Sequence, residues 1–291
     1  MQISSYDWFD GRERGRPCLV VGPAPTAADF PYNSFKGVYL TCGDTPLRMR
    51  GLFTPGYWVN ANNEFPVPEE HLETINGLQG TVFIFSDSVA YSHRPVNLDF
   101  LRNSLKVDWF AYDQRHFGGK PCKDSRLKCC RLLDLYPGRP TLQEFMQRRY
   151  GRPTHYSSGS TVAIHSLAYA ILLGCNPIYL QGIELPRFAK DYAYWEPPPG
   201  ADGEAGRVKL SAGNSLKRLG KTLLHKVSGN FFRGAAEQSP FFGDLPEILS
   251  DFEYLADLAA DNGVEIYNLS RTSTLNEVRS IKSLSPEAVI G

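Results

Sequence analysis

The sequence predicts an α/β fold, a mostly parallel β-sheet with helices on both faces plus a lid-like insert. Three observations carry this expectation. Short runs that are apolar throughout recur along the chain, as strands buried on both faces require. Two segments of helical length are each followed at once by such a run. The runs end at small or turn-forming residues, where a crossover back across the sheet has to begin.

The first run is Cys18-Leu-Val-Val-Gly22, and its turn, Gly22-Pro-Ala-Pro-Thr26, is expected to lead into a helix. A second run over 37–42 stops at Gly43-Asp44, and a third over 81–85 stops at Ser86-Asp87. Residues 109–112 are a candidate fourth. Residues 161–173 have helical length, Gly174 supplies the stop, and Pro177 introduces a buried strand over 178–183. The pattern returns near the end. Residues 246–261 set Ile248, Leu249, Phe252, Leu255, Leu258 and Ala259 on one helical face; Asn262-Gly263 ends that helix before a strand over 264–268. Between 186 and 243 the alternation fails among prolines, glycines and a basic stretch over 217–226, which reads as a lid or a disordered excursion. The expected organisation is therefore a nucleotide-binding domain over 1–185 and 244–291, with a lid or acceptor-side insert over 186–243.

Composition narrows the function classes. Thirty-one basic side chains cancel 31 acidic ones over 291 residues, so no net field draws the chain to nucleic acid, and no nucleic-acid partner is expected. A hydrophobic share of 42% excludes a disordered chain. The six cysteines contain no C-x-x-C pair, so neither a disulfide framework nor a zinc site is expected, and buried reduced thiols suit a cytoplasmic location. Residues 1–17 carry Asp7, Asp10 and Glu13 with no apolar core, unlike a secretory signal. The apolar stretch over 162–175 is broken by His165 and Ser166 and is too short to span a bilayer.

In a parallel α/β sheet, ligands bind beyond the carboxyl ends of the strands. Gly22, Ala24 and Thr26 form a tight small-residue turn that could bring backbone close to a phosphate at a helix start. Pro23 and Pro25, however, each remove an N–H from it. Gly43 and Asp44 stand where a dinucleotide-binding domain keeps its ribose-binding carboxylate, but the degenerate glycine spacing makes that a weak fingerprint. Ser158, Gly159, Ser160 and Thr161 open the 161–173 helix; Ser158 or Ser160 is the expected N-cap, and the exposed N–H groups offer an anion cradle. The spacing is not that of a nucleophile elbow. Asp-x-Asp is absent and no histidine pair has metal-binding spacing, so no metal and no cofactor are expected. His165 reads as a packed or surface histidine.

Taken in order, these pieces resemble the bacterial sialyltransferases of glycosyltransferase family 42 and the related Maf-type glycosyltransferase domains. The most specific block is GSTVAIHSLAYAILLGCNPIYLQGIE over 159–184: a Ser/Thr-Gly turn, a small-residue helix, then the pattern Leu-Gly-x-x-x-Ile-Tyr-Leu-x-Gly-Ile with Glu184 in place of Asp. Weaker agreement comes from 21–26, from 53–57 (which includes Thr54 and falls where the family has an aromatic-rich segment after its third strand), and from 264–270. The resemblance implies a Rossmann-like GT-A-variant fold and metal-independent inverting transfer from a nucleotide-activated sugar. Cytidine-monophosphate-linked sialic acid is the favoured donor and a glycan or glycoprotein the acceptor. It assigns donor binding to Gly22, Ala24, Thr26, Ser158, Gly159, Ser160 and Thr161. Tyr192 is placed on the leaving phosphate, where a phenol does the work of a metal, and His225 in the lid takes the acceptor proton. It further implies homo-oligomers and contact with the inner membrane through the basic insert.

The chain departs from the family pattern at three places. Pro186 replaces a tyrosine, Pro23 replaces an asparagine, and Gly43 or Asp44 replaces a base-binding asparagine. Two alternatives therefore stand beside the transferase. One is a 6-hydroxymethylpterin diphosphokinase-like enzyme, which would need magnesium and convergence of Asp44, Asp87 and Glu184. The other is a catalytically inactive nucleotide-binding relative.

Overall fold

The computed structural model describes residues 1–4, 6–43, 45–60, 72–86, 102–112, 161–185 and 245–290. The segment 186–243, expected as a lid or acceptor-side insert, lies outside them. Eight described strands form one parallel sheet: β1 Cys18–Val21, β2 Val38–Cys42, β3 Tyr57–Asn60, β4 Val82–Ser86, β5 Asp108–Tyr112, β6 Ile178–Gln181, β7 Ile266–Asn268 and β8 Ile281–Ser283. Their order is β5-β4-β3-β2-β1-β6-β7-β8, and every neighbouring pair is parallel. The chain builds outward from β1 in one direction as far as β5, then returns to add β6 on β1's other side. The strand order therefore reverses at β1, and the carboxyl ends of the strands around such a switch point are where ligands bind in open α/β sheets.

The expected α/β architecture is the observed one, and alternation along each strand explains why both faces are covered. Cys18 and Val20 join Leu40, Val59, Ile84, Phe110, Leu180 and Ile266 on one face. Two helices lie there, α3 Val162–Leu172 and α4 Leu245–Asp261. On α4 the expected stripe is buried at Ile248, Phe252, Leu255, Leu258 and Ala259, with Leu249 half-buried at its margin. On the opposite face, Leu19 and Val21 pack with Ala27, Phe30, Tyr32, Phe35 and Met49. Further along, Trp58, Phe83, Phe85 and Trp109 meet Ile75 and Leu47 from α2 Leu72–Gly77 and α1 Thr45–Arg48.

Three local expectations are corrected. The crossover from β1 to β2 contains no α-helix but two 3-10 turns, Pro25–Asp29 and Tyr32–Ser34. Pro31 is the cause, since it drives Phe30 into extended backbone (φ −81°, ψ 133°) after only five residues. The segment 53–57 leads into β3 instead of following it, so the run expected as the third strand is the fourth. The helix cap at α3 is Thr161, neither Ser158 nor Ser160. His165 is buried, as a packed residue would be. Among the described residues, no helix is long and apolar enough to cross a membrane.

Candidate functional site

The carboxyl ends of β2, β1, β6 and β7 are consecutive along the rim, spanning three strand spacings or about 14 Å, enough for a nucleotide-sized ligand. Gly22 and Gly182 bring the two central ends together. A Cβ on Gly22 would lie 2.4 Å from the Gly182 carbonyl oxygen. One on Gly182, whose φ is +66°, would lie 2.6 Å from both the Gly22 oxygen and the Ala27 Cβ. Backbone contact this close excludes any side chain at either position.

The first turn is clamped to the end of β6. Gly22 N–H donates to the Gln181 carbonyl (2.8 Å) and Ala24 N–H to the Gly182 carbonyl (3.0 Å). Thr26 N–H donates to Glu184 Oε1 (3.3 Å), while the Gln181 side-chain amide donates to the Thr26 carbonyl. Pro23 and Pro25 have no N–H. The turn therefore has no backbone donor left for a phosphate, and the cradle expected over 22–26 is used up within the protein. What this turn can offer a ligand is oxygen.

Glu184 carries the charge here. Its Oε1 also accepts from the Ser270 hydroxyl at 3.4 Å, just beyond β7. Ser273 donates to the Ile183 carbonyl (2.9 Å) and Thr274 to the Leu185 carbonyl (2.5 Å), so the segment after β7 braces the segment after β6. At the other side of the crevice, Gly43 follows β2 with φ +59°, and its Cβ position is 3.7 Å from Val162 Cγ1, at the first residue of α3. Trp58 holds this turn by donating its indole N–H to the Gly43 carbonyl at 2.7 Å.

Among the described residues, no side chain caps the start of α3. Thr161 has extended cap geometry (φ −143°, ψ 156°), but its side chain makes no capping hydrogen bond. The N–H groups of Val162 and Ala163 have no intrahelical acceptor, and the helix dipole adds positive potential there. Along the rim lie three buried polar atoms in want of a partner. Thr161 Oγ1, Thr26 Oγ1 and Gln181 Oε1 are buried atoms without a hydrogen-bond partner among the described residues. Each such group costs about 1–3 kcal/mol if left unsatisfied. All three belong to the rim.

Of the sequence-predicted site residues, the rim brings together Gly22, Ala24, Thr26, Gly43, Thr161 and Glu184. Thr26 and Thr161 approach it from opposite faces of the sheet. Thr54 is not among them. Two residues later, Gly56 N–H bonds to the Tyr39 carbonyl near the start of β2, which puts Thr54 toward the amino ends of the strands. Asp44, Ser158, Gly159, Ser160, Tyr192 and His225 lie outside the described residues. Gln181, Ser270 and Trp58 were not expected from the sequence. A hydroxyl-rich run over 270–274, directly after a buried strand, was the signal available for Ser270.

No family model and no curated protein matches the chain. Among solved structures it is similar to the sialyltransferase CstII from Campylobacter jejuni in complex with cytidine-5'-monophosphate. That match has 14% identity and a TM-score of 0.48, covering 94% of this chain and 86% of that one. It is also similar to the monofunctional α-2,3-sialyltransferase Cst-I from the same organism, at 13% identity and TM-score 0.47, covering 91% of this chain and 79% of that one. A third similarity is to a Maf glycosyltransferase from Magnetospirillum magneticum AMB-1, at 15% identity and TM-score 0.46, covering 97% of this chain but 38% of the other. With TM-scores below 0.5, the α/β architecture and the site described above stand on this chain's own topology and contacts.

Proposed function

We propose that the chain is a metal-independent, inverting glycosyltransferase that takes a nucleotide-activated sugar, cytidine-monophosphate-linked sialic acid being the favoured donor. The observation that carries this reading is the uncapped start of α3 beside a buried, unpartnered Thr161 hydroxyl, at the point where the strand order reverses. It is supported by the resemblance over 159–184. The donor phosphate sits on the Val162 and Ala163 N–H groups, in the potential of the helix end. Glu184, across the crevice, repels phosphate and faces the hydroxyl-bearing part of the donor.

As an acceptor hydroxyl oxygen bonds to the anomeric carbon, the bond from that carbon to the phosphate oxygen breaks. The nucleotide leaves with the electron pair. Hydrogen bonds to the leaving phosphate gain strength as its charge grows, which lowers the barrier. Tyr192 supplies one such bond from its phenol, and the imidazole of His225 receives the acceptor's proton. Both roles come from the resemblance. A glycan acceptor, a cytoplasmic setting at the inner membrane and a homo-oligomeric state belong to the same proposal.

Release of nucleotide from a panel of activated sugars is the test. Wild-type chain should turn over at least one donor, and Tyr192→Phe should lower kcat about a hundredfold. No turnover, and no thermal shift with any cytidine or uridine nucleotide, overturns the proposal. A second reading, nucleotide binding without catalysis, is favoured by the first turn, whose backbone donors are all consumed or missing. Binding by calorimetry without turnover of any donor would mark it. For the diphosphokinase, the ends of β4 and β6 lie four strand positions apart, roughly 19 Å, too far for one ion to be held directly from both.

A further inference from the structure

Gln181 is the best buried of the three rim residues with an unpartnered atom, at 1% exposure. It lies at the last position of β6, directly beside Val21 at the end of β1. Its two amide atoms do different things. The nitrogen donates to the Thr26 carbonyl, and with Glu184 on the Thr26 N–H this grips one residue of the first turn from both sides. The oxygen has no partner among the described residues, and neither has the Thr26 hydroxyl. Reversing the amide would not cure this, because its nitrogen would then lose the Thr26 carbonyl. The amide oxygen is thus left in need of a donor, while the Thr26 hydroxyl can both give and take a hydrogen bond.

We infer that Gln181 is a positioning residue that sets the Thr26 turn for the hydroxyl- or amino-bearing part of a nucleoside, and that its amide oxygen is satisfied when this part of the ligand binds. The inference rests on the nucleotide reading above and adds a polarity to the crevice. Anions go to the start of α3, whose free groups are donors. The nucleoside goes to the β1–β6 side, where Gln181 and Glu184 present acceptor oxygens and Thr26 a hydroxyl. A neutral donor-bearing group suits that side better than a phosphate, which the Glu184 carboxylate opposes.

The test separates stability from binding. Gln181→Met keeps the volume, removes the grip on Thr26 and removes the orphan oxygen. Its melting temperature should stay within a few degrees of wild type, since one hydrogen bond and one unsatisfied group disappear together. Its affinity for cytidine 5'-monophosphate by calorimetry should fall about tenfold, with inorganic phosphate affinity unchanged. In Gln181→Glu, the ionised carboxylate cannot donate to Thr26, whereas the protonated acid can. Its deficit against wild type, measured at the same pH, should shrink on acidification. Unchanged nucleotide affinity in Gln181→Met overturns the inference. So does parallel loss of melting temperature, phosphate affinity and nucleotide affinity, which would mark a purely structural role. If wild type binds phosphate but no cytidine or uridine nucleotide, the nucleotide reading itself has failed.

Discussion

The two ends of α3 are built in opposite ways. At its carboxyl end, the N–H groups of Gly11, Glu13 and Gly15 donate to the carbonyls of Leu172, Leu173 and Gly174 at 2.8–2.9 Å. The groups around that end are also paired. Tyr57 gives its hydroxyl to Glu13 at 2.7 Å, Arg16 bonds Glu13, and Thr81 donates to the Pro55 carbonyl at 2.6 Å. At the amino end, Thr161 makes no side-chain cap, and elsewhere on the rim Thr26 Oγ1 and Gln181 Oε1 have no partner among the described residues. Among the described residues, the difference separates groups paired within the fold from three rim atoms that are not, and the donor proposed above would be the partner of the latter.

Substitutions can break that contrast, beginning with the crevice itself. Gly182→Ala combines a left-handed backbone with a Cβ 2.6 Å from the Gly22 oxygen and the Ala27 Cβ, so we expect a loss of about 3–4 kcal/mol in urea unfolding. A loss below 1 kcal/mol would mean that the β1 and β6 ends are free to move apart.

A pair of near-isosteric changes sharpens the comparison. On the closed edge, Tyr57→Phe should cost about 1–2 kcal/mol by taking the hydroxyl donor from Glu13 Oε1, and it should leave ligand affinity alone. On the rim, Thr161→Val removes a hydroxyl that has no partner among the described residues. Stability should hold or rise slightly, while affinity for phosphate or a nucleotide phosphate falls severalfold. Unfolding midpoints and calorimetry on the same samples decide between them, and the opposite assignment of effects would erase the distinction between the edges.

The smallest effect is with pH. Burial raises the Cys18 thiol, helped by its hydrogen bond to Cys175. Burial also raises Tyr57, helped by its hydrogen bond to Glu13, and pushes Tyr39 up to about 12. In each case the unfolded chain loses its proton first. Their contribution is thus fully present below about pH 9, the ordinary thiol value being 9.0, and declines as pH climbs toward the raised folded values. Urea midpoints should be flat from pH 7 to 9 and fall above it. Tyr57→Phe should soften the fall, and Thr161→Val should not.

Much of the architecture was legible because strands buried on both faces must be apolar throughout. β1, β2, β4 and β6 announce themselves in this way, and α3 and α4 do so by their length and by the strand directly after each. β3 and β8 did not. Tyr57–Asn60 ends on a buried asparagine, and Ile281–Ser283 has a single buried residue at the sheet's edge. Neither pattern differs from a loop until a neighbouring strand supplies the hydrogen bonds. The site was legible where glycine or a helix start is required, at Gly22, Gly43 and Thr161. Gln181 stayed hidden because a polar residue at a strand end reads as solvent-facing. Only the approach of the first turn from the far side of the sheet makes it a buried one.

Trp58 has a practical use beyond its place in the core. Its indole is fully enclosed and tied to Gly43, whose turn abuts the first residue of α3, whereas Trp8 lies under Arg12 and Trp109 stacks on Phe85. With Trp8, Trp109 and Trp195 replaced by phenylalanine, its fluorescence becomes an optical gauge of the rim that needs no dye or label.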